Sequence, residues 1–171
     1  MPEPGAHPPV GASLTNEDFA RVFAEIADLL ELGDDNAFRV LAYRNAAREL
    51  SGTGYDIPAL LAAGEPLPKM PGIGADLEAK LREIFATGTS ATLEKLRRVY
   101  PPGITELLRL PGVGPKRVRL FHQRLGVGSL AELEQAVRAG RLRGLAGFGA
   151  KTEQRILDAI ETVKSSHARR P

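Results

Sequence analysis

"LPGVGPKRVRL", residues 110–120, ends an apolar run on a Pro-Gly-Val-Gly turn and opens the next segment with Lys116, Arg117 and Arg119. Two relatives lie on either side: "MPGIGADLEAKL" from Met70 and "LAGFGAKTEQRIL" from Leu145. Each reads as a short helix, an apolar residue with Gly-x-Gly, and a second helix. The copies recur 40 and 35 residues apart, measured by Gly72, Gly112 and Gly147. Such a period marks a duplicated supersecondary unit.

Glycine accepts positive φ and has no Cβ, so two of them around one apolar residue permit a reversal that another backbone can approach closely. The turns are Gly72, Ile73 and Gly74; Gly112, Val113 and Gly114; and Gly147, Phe148 and Gly149. Burial of Ile73, Val113 or Phe148 is expected to fix each hairpin. The helix after each turn offers free N–H groups and the positive end of its dipole, which is an anion site. Amides read a phosphate without reference to base identity, so the expected contact is a sugar-phosphate backbone. Lys116 and Arg117 follow the second turn and Lys151 the third, whereas Asp76 follows the first. The second and third copies are therefore expected to hold phosphate better than the first. A P-loop is excluded by the missing Gly-Lys-Ser/Thr ending and preceding strand, and a dinucleotide fold by the same missing strand.

The charge supports this division. The net charge of +2 conceals a balance of −7 over residues 1–92 and +9 over residues 93–171. Clustered Lys and Arg attract a polyanion to the second half. The composition, 43% hydrophobic and 26% charged, is that of a soluble globular chain. There is no cysteine, which excludes disulfides and thiolate metal sites, and His7, His122 and His167 are too scattered for a metal cluster. "MPEPGAHPPVGA" lacks the basic start and apolar run of a signal peptide, and no segment reaches membrane-spanning length. A cytoplasmic, nucleoid-associated protein is expected.

Nearly every segment reads as helix. Thr15 caps a helix with Asp18 three residues on, and Phe19, Val22, Phe23, Ile26, Leu29 and Leu30 recur at helical spacing until Gly33. Asn36 opens a helix over about 37–50 with Phe38, Leu41, Ala42 and Ala46 on one face. Ile57–Ala63 makes a short helix; further helices are expected over 75–86, 91–99, 103–109, 115–125, 130–138 and 150–164. No stretch alternates with period two, so the fold class is all-α, two small helical subdomains with tandem helix-hairpin-helix motifs and no sheet. The expected division is a disordered tail at 1–12, an acidic domain at 13–90, a basic domain at 91–164 and a frayed tail at 165–171.

"NAFRVLAYRNAAREL" (36–50), "MPGIGADLEAKLREIFATG" (70–88), "LPGVGPKRVRLFHQRLGVGSLAELEQAV" (110–137) and "GRLRGLAGFGAKTEQRIL" (140–157) resemble, in order and spacing, the N-terminal part of the family X DNA polymerases. The resemblance implies a small helical domain able to carry 5′-deoxyribose-phosphate lyase activity, followed by a helix-hairpin-helix DNA-binding subdomain. It places the Schiff-base lysine on Lys80, a tyrosine of the phosphate pocket on Tyr43, and Arg39 where a phosphate-binding lysine is usual. Asp76, Pro68 and Thr92 stand where the family has other pocket lysines. The family also implies a monovalent cation held by hairpin carbonyls; no other cofactor is expected. The catalytic palm of the family needs paired aspartates on a sheet, and Asp34-Asp35 lies in a loop between helices, so polymerisation is not expected from this chain.

On the flank of the apolar stripe Leu77, Leu81, Ile84 and Phe85, Lys80 is placed for the partial desolvation that imine chemistry wants. Three functions follow: a sequence-independent module for gapped, nicked or duplex DNA in repair, working beside a separate polymerase or repair enzyme; a lyase using Lys80, Tyr43 and Arg39; or a protein-interaction scaffold. Phosphate contacts alone do not separate DNA from RNA, although 5% aromatic residues leave little for base stacking.

Overall fold

The structure is a computed structural model and describes residues 9–168. Among them are nine α-helices: α1 (Asn16–Leu32), α2 (Ala37–Gly52), α3 (Ile57–Ala62), α4 (Ala75–Thr87), α5 (Ala91–Val99), α6 (Ile104–Leu108), α7 (Gly114–Leu125), α8 (Leu130–Arg138) and α9 (Ala150–Ala168). A single bridge, Met70 to Ile73, is the only β-type pairing among the described residues, and the fold is all-α as expected. The chain divides into two compact units. The first takes in residues up to Leu30 and Asp35–Leu96, the second Glu31–Asp34 and everything from Arg97 on. The division falls inside α5, between Leu96 and Arg97, and leaves the buried Ser90 and Leu93 with the first unit.

In the first unit the Thr15 amide donates to Asp18 Oδ2 at 2.8 Å and the Asp18 amide to Thr15 Oγ1 at 3.3 Å, a reciprocal cap that fixes the start of α1. The bond from the Thr15 amide, more than any other cause, holds the Asp18 carboxyl below its ordinary value. Phe19, Phe23 and Ile26 of α1 form a core with Leu50 of α2, Ile57 of α3, and Leu81 and Ile84 of α4. The Asn16 side chain donates to the Tyr55 carbonyl at 2.6 Å and accepts from the Ile57 amide at 2.9 Å, joining the starts of α1 and α3.

Two expectations for this unit are corrected. The buried face of α2 is Val40, Tyr43, Ala46, Ala47 and Leu50, whereas Phe38 is 83% and Leu41 50% exposed, with Ala42 also exposed. Apolar residues run round more than one side of α2, and Tyr43 decides the face by meeting Phe23 edge-on at 5.7 Å between ring centres. Residues 10–12, expected to belong to a disordered tail, are instead part of an ordered turn. Val10–Ser13 form a 3-10 turn in which Gly11 is buried, and a Cβ at Gly11 would lie 2.3 Å from Phe85 Cα of α4. Backbone on backbone at that distance leaves no apolar side chain for a periodicity argument to detect. Residues 1–8 lie outside the described residues.

The second unit buries Ile104 and Leu107 of α6, Val118 and Phe121 of α7, Leu133 of α8, and Ile156 and Ile160 of α9. A 3-10 turn not anticipated from the sequence, Arg141–Gly144, joins α8 to the third glycine turn. Arg141 Nη2 donates to the Leu125 carbonyl at 3.1 Å, where α7 ends in the left-handed Gly126. On α8, Glu134 takes a bond from Arg138 at 3.1 Å and another from Lys164 of α9, while Arg138 also reaches Glu161 at 3.8 Å. Those bonds, Lys164's first, hold the Glu134 carboxyl below its ordinary value. Helix α9 continues through Ala168 where a frayed tail was expected from 165; residues 169–171 lie outside the described residues.

Candidate nucleic-acid interface

The three glycine turns share one backbone plan. The first glycine has φ of 79° at Gly72, 77° at Gly112 and 84° at Gly147, in the left-handed region that favours glycine. The middle residue's amide then bonds back three residues: Ile73 to Met70 at 3.1 Å, Val113 to Leu110 at 3.3 Å, Phe148 to Leu145 at 3.3 Å. Val113 and Phe148 are buried at 6% and 9% exposure, but Ile73 is only half-buried.

The second glycine separates the copies. Gly114 has φ of 75°, so conformation demands it, whereas Gly74 has φ of −93° and Gly149 is outside the positive region. A Cβ at Gly74 or Gly149 would meet no atom within 4 Å. Neither backbone strain nor internal packing requires glycine there, and the space over both turns is open to something outside the chain.

Charge separates them further. Lys116 and Lys151 are exposed beside the second and third turns and make no ion pair with any of the described residues, and the same holds for Arg109 and Arg155 nearby. At the first turn Asp76 is exposed instead, and Glu78 pairs with Arg82 at 2.8 Å. Arg119, the third cation of the opening stretch, pairs with Asp34 of the second unit at 3.2 Å. Glu153, one turn into α9, is buried and held by Arg143 at 3.1 Å, so the third hairpin carries a neutralised pair of its own.

Arg117 behaves differently from Lys116. Its Nη1 donates to the Gly112 carbonyl at 3.3 Å, and its guanidinium lies 5.4 Å from the centre of the Phe148 ring. The Phe148 ring also meets Phe121 at 5.3 Å. The second and third hairpins therefore stand side by side. The Leu110 carbonyl accepts from the Val113 amide and the Gly112 carbonyl from Arg117, so two oxygens of this turn serve donors of the chain itself. Among the described residues no group of three His, Asp or Glu could hold a metal ion.

In the first unit, Lys80 is half-buried on α4 beside the buried Leu81, with no hydrogen bond or ion pair among the described residues. Tyr43 turns its ring into the core, while Arg39, one helical turn earlier, is exposed and paired with Asp35 at 3.3 Å. The first hairpin adjoins α2, since a Cβ at Gly72 would come within 3.9 Å of Asn45 Cβ. The exposed ring of Phe38 was missed because the sequence offered two competing apolar faces on α2.

Residues 14–90 match the family model of a helix-hairpin-helix domain, and residues 104–162 that of a SAM-like helix-hairpin-helix tandem. Fold and repeated turn thus define a helix-hairpin-helix protein. Over 144 residues, 84% of the chain, the sequence is 35% identical to the DNA polymerase/3′-5′ exonuclease PolX of Bacillus subtilis (strain 168). Over 105 residues it is 30% identical to the Holliday junction branch migration complex subunit RuvA of Acidovorax sp. (strain JS42) and of Acidovorax ebreus (strain TPSY). The chain spans 25% of the Bacillus relative and 48% of the two RuvA subunits. It carries helix-hairpin-helix domains and is similar to the N-terminal part of a family X DNA polymerase. No helix among the described residues is long and apolar enough to cross a membrane.

Proposed function

We propose that this module binds the sugar-phosphate backbone of DNA without regard to sequence, at gaps or nicks during repair and beside a polymerase or repair enzyme. The observation that carries the reading is the arrangement of charge in the second unit. Around the two adjacent glycine turns Lys116 and Lys151 are unpaired, while Glu134, Arg138, Glu161 and Lys164 of α8 and α9 neutralise one another. Cations left unpaired beside turn amides and an open glycine suit a phosphate oxygen. The acidic first unit has a contact that needs no cation, since the exposed Phe38 ring offers a stacking face to an unpaired base. If the hairpins neutralise about five phosphates, log affinity for gapped duplex falls against log salt with a slope of roughly −4 to −5. A flat salt response would sink the reading, and tighter binding of an RNA of the same shape would redirect it.

A second reading, lyase activity, is favoured by Lys80, a half-buried amine with no partner carboxylate. Its Nζ would attack C1′ of a 5′-deoxyribose phosphate, lose water to form an imine, and let a proton leave C2′ as the C3′–O bond breaks. Borohydride should then trap a covalent adduct that Lys80→Ala abolishes. No adduct, at a concentration where the same DNA is bound, removes this reading and leaves the first intact.

A further inference from the structure

We propose that Arg117 is a positioning residue, a clasp that fixes the second hairpin against the third, rather than a ligand of phosphate. The inference rests on the DNA-binding reading above and deepens it. One guanidinium touches both turns: its Nη1 donates to the carbonyl of Gly112, and its central carbon lies 5.4 Å from the ring centre of Phe148, the central residue of the third turn. A planar, forked cation suits both contacts at once, since its N–H groups spread toward the carbonyl while its delocalised, weakly hydrated charge stays near the ring. An ammonium keeps the charge and loses the combination. Lys116, the neighbouring residue, has neither contact and is free to meet a phosphate. Phe148 is held in turn by Phe121 of α7, so the ring that Arg117 approaches is seated on the helix that carries Arg117. The spacing between the two sets of turn amides then depends on this contact, and with it the ability of one duplex to meet both at once.

The test compares Arg117→Lys, Arg117→Gln and Phe148→Leu in the whole chain with two readouts. The first is amide hydrogen exchange of the free protein at Val113 and Phe148, whose N–H groups close the two turns. The second is affinity and salt slope on a duplex with a one-nucleotide gap. A clasp predicts faster exchange at both turns in Arg117→Lys, and an affinity loss of about 2- to 5-fold, the strength of an exposed cation–π contact, that retaining the charge does not rescue. Phe148→Leu should reproduce that loss, and adding Arg117→Lys to it should cost little more. Should Phe148→Leu unfold, the exposed Arg117→Lys still decides through exchange. The proposal is overturned if Arg117→Lys exchanges and binds like the parent while Arg117→Gln lowers the salt slope by about 0.9, the signature of one lost phosphate contact. It is equally overturned if none of the variants changes exchange at either turn. A parent protein with no salt-dependent DNA binding would refute the functional reading instead, and the exchange data would still judge the clasp.

Discussion

The turn at Gly72 and the turn at Gly112 have nearly the same backbone and opposite surroundings. Each opens on a left-handed glycine and closes with an amide bonded three residues back. Yet the first leads into a helix bearing Asp76 and Glu78 with its middle residue half-exposed, and the second into Lys116 and Arg117 over a buried Val113. A glycine hairpin supplies amides and an open approach, but both copies supply those. What differs is the sign of the charge around the amides, and a negatively charged phosphodiester track discriminates on that sign.

The sharpest way to break the comparison is to remove the charge from the basic copies. Lys116→Ala with Lys151→Ala is expected to lower affinity for gapped duplex by about 100-fold near 0.1 M salt and to make the salt slope shallower by about 1.8, measured by titration across salt. Glycine substitutions come next. Gly149→Ala should leave the thermal midpoint nearly unchanged yet weaken DNA binding by about 10-fold, as expected for one lost charge-assisted hydrogen bond. Gly114→Ala should instead cost about 1–2 kcal/mol of stability, because only there is the second glycine left-handed. If both variants lose stability alike, the open space over Gly149 has no bearing on a ligand. Asp76→Lys runs the comparison backwards and should raise affinity about 3-fold, a smaller change because Glu78 stays beside that turn. An unchanged affinity would mean that DNA does not reach the first hairpin.

The smallest effect concerns the end of the second unit that neutralises itself. Glu134 has its pKa lowered by Lys164 and Arg138, so its contribution to stability is present above the ordinary glutamate value of 4.5 and is lost as pH falls through the depressed value. Melting the parent and Glu134→Gln at pH 6 and pH 3 should show the parent losing more on acidification, with DNA affinity at neutral pH equal in the two. A variant as acid-sensitive as the parent would assign the effect to other carboxylates, Asp18 among them.

Much of this was legible in the sequence because it is local. The Thr15 and Asp18 cap, the glycine turns and the helix starts at Asn36 and Ala75 depend on residues within four positions of one another, and the helical class follows from them. Features that join distant positions were not legible. The clasp of Arg117 on Phe148 and the seat of Gly11 on Phe85 unite residues far apart in the chain, and neither leaves a periodic trace. Helix α2 failed differently: its apolar residues mark two faces, and only the packing of Tyr43 on Phe23 chooses between them. That choice set Phe38 outside, which no count of hydrophobic spacing could have favoured.

The Asn16 side chain, which holds both the Tyr55 carbonyl and the Ile57 amide, bears on time rather than on equilibrium. It closes a loop of about forty residues, and a contact of that reach is expected to form after the local helices have paired. Interactions made late in folding leave the refolding rate nearly untouched and act on the reverse step. Asn16→Ala is therefore expected to shorten the lifetime of the folded first unit, visible as a raised unfolding limb in a denaturant-jump experiment with an unmoved refolding limb.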